Sequence, residues 1–317
     1  MIESSFRRVE AWLFAPGDAR RLAAVRIGLS SLLAARLIRG VYRGLAGQPR
    51  PLYRPLSFMH LLPGMPSRGV VVALQTIGVT AAIVAAIGWR PRLSLSAAWG
   101  CALLLNGMAT SVGKIVHNDV LLMLALVPLL AAPSADAWSI EATRRRAAGS
   151  GLPRLRSPRY GWPVRTALVV VAGAYFFTGL AKVVFSGPAW VISDNMRWVM
   201  YAASDAQRVP NALGLFIADR PWLAHVVAAA TLLFELSFPL VLWRPRMAWL
   251  FVPGAVLMHT AIRVTLHLDY SAWAVTVVVL FVDWAWLADW ARTVRGQRAH
   301  REMPAAAKDR PAAPLPA

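Results

Sequence analysis

Eight apolar runs dominate this chain and limit it to a fold whose helices cross a membrane. They cover roughly residues 20–40, 69–88, 93–111, 117–133, 164–185, 222–243, 247–267 and 271–290. Each approaches the ~20 residues that a ~30 Å hydrocarbon layer asks of a helix, the fourth being short. Backbone in lipid must satisfy its own hydrogen bonds, and runs this long without strict alternation do so as helices. Composition agrees: hydrophobic residues make up 57% of the chain and charged residues 15%, against ~45–50% and ~25% in soluble domains. The expected architecture is an all-α integral membrane protein, a polytopic helical bundle of about eight spans. Residues 1–18 form a cytoplasmic N-terminal segment, 19–291 the transmembrane domain and 292–317 a basic, then Ala/Pro-rich, disordered tail.

Turn chemistry supports the breaks between runs. Trp89-Arg90-Pro91-Arg92 and Trp243-Arg244-Pro245-Arg246 read as tight helical hairpins capped at the interface, or as a faint internal repeat. Residues 143–163 are Arg-, Gly- and Pro-rich and read as a mobile cytoplasmic linker. The amphipathic stretch 188–221 reads as an interfacial or re-entrant segment. Tryptophans such as Trp89, Trp138, Trp162, Trp222, Trp243 and Trp290 fall near run ends, as an aromatic belt requires.

The net charge of +19 is distributed between the runs rather than on one soluble face, which excludes nucleic acid as the partner and points to lipid headgroups. With the N-terminus inside, inside segments hold about 21 Lys and Arg and outside segments about 10, so both termini are expected in the cytoplasm and the protein in the cell membrane. The N-terminal 21 residues carry Arg, Glu and Asp and no continuous apolar core, unlike a cleavable signal. The single Cys101 excludes an intramolecular disulfide and a CxxC metal site.

Polar residues inside apolar runs carry the functional reading. Lys182 lies near the end of VRTALVVVAGAYFFTGLAKVVF. A lysine in mid-bilayer costs roughly 2.5–3.5 kcal/mol on insertion scales, so it is paired, drained to the interface or used. Removal from water biases it toward the neutral amine that acts as a base. Tyr175 and Thr178 share its helix face, and Gly179 lets a neighbouring helix approach. The structural alternative is a lysine snorkelling to headgroups. His259, Arg263 and His267 form a stripe at i, i+4 and i+8, expected to face protein or water rather than lipid. The alternative is a structural network with Glu235 or Asp269. Lys114, His117, Asn118 and Asp119 open the fourth run, where polar residues also belong simply as a span mouth. Glu235 is the one acid deep in the sixth run and needs a partner, Arg263 or Lys182. Arg26 and Arg36 lie in the first run and can snorkel, Arg26 with more difficulty. No HExxH and no DDxxD is present, so no metal site is expected.

The stretch Tyr175-Phe176-Phe177-Thr178-Gly179-Leu180-Ala181-Lys182, followed by Trp190, resembles a motif of the vitamin K-dependent γ-carboxylase-like family, also called the horizontally transferred transmembrane domain family. Arg26 in LAAVRIGL, His117-Asn118-Asp119, the Trp138-Ser139-Ile140 exit, Glu235 and His259 follow in a similar order, over roughly residues 15–290. The resemblance implies that Lys182 is the base that deprotonates a reduced, vitamin K-like quinone, and that His259 and either His117 or Asn118 match the family's histidines. Catalytic roles then fall to Lys182, His259, His117, Glu235 and Tyr175. Asn118, Asp119, Arg263, Trp190 and Arg26 would bind substrate. The animal enzyme has a large C-terminal domain where this chain has a short tail, so a lipophilic quinone or isoprenoid is expected as substrate rather than a protein. A protonation-initiated isoprenoid cyclase using Glu235 or Asp119, a peptide-maturation factor and a non-catalytic membrane protein are the alternatives.

Overall fold

The computed structural model describes residues 2–114, 116–150, 153–206 and 211–302. Helices account for most of them. In chain order they are α1 (Ile2–Leu13), α2 (Ala19–Arg39), α3 (Arg68–Ile87), α4 (Pro91–Thr110), α5 (Val120–Leu130), α6 (Ile140–Ala147), α7 (Pro158–Ser186), α8 (Ala189–Ile192), α9 (Asn195–Ala206), α10 (Ala212–Ala218), α11 (Pro221–Ser237), α12 (Leu240–Trp243), α13 (Ala248–Leu266), α14 (Ser271–Phe281) and α15 (Trp284–Glu302). The described strands are a two-residue antiparallel bridge that pairs Gly17 with Ser157 and Asp18 with Arg156.

A helix lies at each of the eight apolar runs. By length and composition four helices can cross a membrane: α3, α4, α7 and α13 with the 3-10 turn before it. The number rises to six if α10 with α11, and α14 with the start of α15, each count as one span. This makes the chain a multi-pass helical membrane bundle. The short fourth run gives α5 only 11 residues, about 17 Å at 1.5 Å per residue. α11 runs on through Phe238 and Pro239, both in the right-handed helical region, into α12. The eighth run is broken after Phe281, and residues from Asp283 onward form a separate compact unit.

Within the unit that ends at Val282, α2 is the hub. It packs against α3, α4, α5, α7 and α14, and Leu22, Val25, Leu29, Leu33 and Leu37 are sealed at the core. The remaining helices present apolar surface outward. Phe177, Phe185, Trp249 and Leu257 are exposed, which suits helices whose outer faces meet lipid rather than water.

The two Trp-Arg-Pro-Arg turns are not copies. The first turns between α3 and α4 through Gly88 and Arg90, both at positive φ, with Pro91 opening α4. The second passes through a 3-10 turn, Pro245–Met247.

Two expectations need correction. The linker 143–163 is held in place through most of its length. α6 starts on a Ser139 cap, Arg145 pairs with Asp136 at 2.9 Å and Arg159 at 3.0 Å, and the Tyr160 hydroxyl donates to the same carboxylate at 2.8 Å. Residues 292–302 of the tail are helical, continuing α15. Residues 303–317, and 207–210 of the amphipathic segment, lie outside the described residues. The rest of 188–221 folds into α8, α9 and α10, which pack on α11, and α10 meets α11 at a bend of 103°.

Candidate functional site

Lys182 is paired. Its Nζ donates to both carboxylate oxygens of Glu235 at 2.6 Å, joining α7 to α11. Gly179 makes the close approach: a Cβ there would sit 3.0 Å from the Cβ of Glu235. The Lys182 ammonium also lies 5.1 Å from the ring centroid of Trp190 on α8, a cation–π distance. Of the two partners open to Glu235, the fold selects Lys182 and sends Arg263 elsewhere.

Tyr175 lies two turns back along α7, about 10 Å of helix rise from Lys182. It is buried, with its ring stacked on Phe238 at 4.2 Å and edge-on to Phe234 and Trp273. Its hydroxyl meets His259 Nε2 of α13 at 2.7 Å. His259 Nδ1 is buried with no hydrogen-bond partner, a vacancy that a buried polar atom rarely keeps. The His259 ring stacks 6.0 Å from Tyr270, whose hydroxyl bonds His117 Nε2 at the exposed mouth of α5. Two Tyr–His pairs are thus stacked from the interior toward the surface. Tyrosine hydroxyl and imidazole each donate and accept, so each pair can orient or relay a proton.

The third group closes the end of the bundle where α2 stops and α5 and α14 begin. Arg36 donates to Asp119 at 2.6 Å and to Asp269 at 2.6 Å. Asn118 donates to the Asp269 backbone carbonyl at 2.8 Å, and Arg263 pairs with the Asp269 carboxylate at 3.3 Å. Burial raises the pKa of the Asp269 carboxyl, but hydrogen bonds from Ser271 and Arg36 outweigh that and hold it at about 2, against an ordinary 3.8. A depressed carboxyl contributes stability above its unfolded value and loses it as the pH falls through its folded value. Detergent-solubilised protein is therefore expected to lose melting temperature between pH 3.8 and about 2, and Asp269→Asn is expected to flatten that step while lowering stability at neutral pH. Thermal melts across the range check it.

The expected polar stripe on α13 divides. His259 is buried, whereas Arg263 is exposed and turned to Asp269. The helix ends at Leu266, and His267 caps it in the left-handed region, so it does not continue the stripe. Arg26 stands apart from all three groups. It is fully buried and donates to the backbone carbonyls of Ser134, Ala86 and Trp138, the last at 2.6 Å. It ties α2 to the end of α3 and to the chain after α5. Lys114 and Thr178 are exposed, and the Thr178 hydroxyl donates to its own helix at Ala174.

Sequence reasoning missed Tyr270, Trp273 and Phe238 as parts of the site and read Arg36 only as a snorkelling cation. Their signal was weak: aromatic residues at run ends fit a belt, and pairing across separate helices leaves no spacing in the sequence. Among the described residues no group of three or more His, Cys, Asp or Glu is arranged to hold a metal ion. The chain matches no known protein family, no curated protein and no solved structure.

Proposed function

We propose that this protein is an integral membrane enzyme that acts on a lipophilic quinone or isoprenoid by base chemistry at Lys182, in the manner of the γ-carboxylase-like family it resembles. The observation that carries the reading is the Lys182–Glu235 pair, set on a helix that also carries the Tyr175–His259 bond. A proton passing from Lys182 Nζ to Glu235 converts the ion pair into an amine and a carboxylic acid. The amine then takes the O–H proton of a bound quinol, leaving an ammonium beside an oxyanion. Low dielectric strengthens their attraction where water is excluded. Tyr175 and His259 orient the substrate, the unpaired His259 Nδ1 being available to hydrogen-bond a substrate hydroxyl or carbonyl. Trp190 supplies an aromatic wall and a buried indole N–H without a partner.

Eight spans belong to this reading, α2 and α5 being added to the six reached when both bent pairs count as spans, with both termini in the cytoplasm. Asp119 is ion-paired with Arg36, and a carboxylate so held carries no proton to give, which weighs against Asp119 as the acid of a protonation-initiated cyclase.

A non-catalytic reading is favoured by one observation: Nζ is within 2.6 Å of both Glu235 oxygens, the geometry of a structural lock between α7 and α11. Mass spectrometry of lipid extracts separates the two. Host cells with wild-type protein are expected to show an altered quinone or isoprenoid species. Lys182→Met/Glu235→Leu, which removes the base together with its buried partner, is expected to reduce that change by about 100-fold or more, the scale of a lost general base. An unchanged lipid profile with the protein expressed and folded supports the structural lock.

A further inference from the structure

A second polar site lies far along α7 from Lys182, near the start of that helix. A cavity of ≈ 170 Å³ opens where α1, α2, α7 and α13 meet, lined by Trp12, Arg21, Tyr160, Arg165, Leu168 and Phe281 among others. Arg21 and Arg165 both line it, and their charges repel each other. Among the described residues neither has an acidic partner. Arg21 Nε is buried without any hydrogen-bond partner, and one Arg21 Nη reaches only the Leu280 carbonyl at 3.5 Å. Arg165 spends Nη1 on the Leu13 and Ala15 carbonyls and lies 5.8 Å over the Trp12 ring. Asp18, the one acid on the wall, is occupied: Arg20 donates to it from its backbone at 2.7 Å and from Nη2 at 2.9 Å. The Tyr160 hydroxyl is likewise committed to Asp136.

Two uncompensated guanidiniums beside one small cavity are costly unless an anion joins them. The local backbone builds the cavity rather than merely tolerating it. Gly17 packs on Gly161, where a Cβ on either would strike backbone within 2.5 Å, so the 15–17 segment lies directly on α7. The other walls, Val164, Leu168, Val241, Leu242 and Phe281, are apolar. A ligand with a phosphate group and a hydrocarbon body meets both requirements. Guanidinium forks match phosphate oxygens better than an ammonium does.

We infer that this cavity binds the phosphate group of an amphiphilic anion, with Arg21 and Arg165 as its cations. The phosphate belongs either to a membrane phospholipid headgroup or to a free phosphate or diphosphate ester. The inference is independent of the Lys182 chemistry.

Native mass spectrometry of the full chain in nonionic detergent tests it, with phosphatidylglycerol, phosphatidylcholine or sodium pyrophosphate added. Retention of phosphatidylglycerol over phosphatidylcholine is expected, falling by roughly 10-fold in Arg21→Gln, the size of one charge-assisted hydrogen bond. Arg21→Lys is expected to keep part of the binding. Leu168→Trp, which fills the cavity and spares both arginines, is expected to lose it. Arg68→Gln, an exposed arginine elsewhere, serves as the unchanged control. Pyrophosphate binding in place of the lipid assigns the free source; lipid binding that pyrophosphate does not displace assigns the headgroup. Equal phosphatidylglycerol retention by wild type, Arg21→Gln and Leu168→Trp overturns the inference.

Discussion

Lys182→Met is expected to destabilise the protein by about 3–5 kcal/mol, because it leaves the Glu235 carboxylate buried with no counter-charge. Glu235→Leu should cost a similar amount by stranding the ammonium. The paired variant Lys182→Met/Glu235→Leu should recover most of the loss, since apolar residues of similar volume often replace a buried ion pair at little cost. The structure supplies the reasons. The side chains are 16% and 7% exposed, so water cannot take over the solvation of either one. Gly179 holds the two helices at a separation where Leu236 already packs, and a leucine at 235 continues that surface. Unfolding of the four proteins in one detergent measures the coupling directly. Single losses that simply add in the double variant would show that the two charges do not depend on each other.

Arg26→Ala should cost at least about 3 kcal/mol, since hydrogen bonds to a charged group are worth about 1.5–3 kcal/mol each and several vanish together. The guanidinium is completely buried and donates to carbonyls of Ser134, Ala86 and Trp138, which come from two separate stretches of chain. Alanine leaves those acceptors short and opens a cavity beside α2, the helix on which α3, α4, α5 and α7 rest. Arg26→Lys recovers only part, because one ammonium cannot span three carbonyls in the plane of a guanidinium fork. Gly88→Ala strikes the same joint from the other side. Gly88 holds φ +76°, and a Cβ there would lie 2.4 Å from the Ser139 Cβ. Both variants should lower melting temperature and monodispersity, while Arg68→Gln on the exposed start of α3 changes neither.

The helices were legible because lipid-length apolar runs have few other solutions. Where they ended was less so. Nothing in LMHTAIRVTLHLDY marks Leu266 as the last helical residue, because His267 adopts the left-handed region without the glycine that usually announces it. The stripe through His259, Arg263 and His267 was therefore extended one step too far. The linker 143–163 looked mobile by composition, yet Asp136 gathers Arg145, Arg159 and Tyr160 across separations of 9 to 24 residues. Such pairing has no period to read. In the site, Lys182 and Glu235 stood out because charges are rare in apolar runs, and the fold joined them. Tyr175 and His259 were both visible, but their contact was not, since 84 positions separate them. Arg26 drew attention for the same reason as Lys182. The structure gives it carbonyls and no share in the other groups.

The paired variant also provides the most direct test of the central claim, that Lys182 is a base working on a membrane-soluble substrate. Lys182→Met alone confounds chemistry with a lost ion pair. Lys182→Met/Glu235→Leu is expected to fold, so its activity reports the lysine and its partner alone. Lipid extracts of host cells making wild type, this variant or no added protein should be compared by mass spectrometry at matched membrane levels. The account predicts a quinone or isoprenoid species changed by wild type and left untouched by the folded paired variant. The same change produced by both proteins would contradict it and leave Lys182 and Glu235 as a lock between two helices.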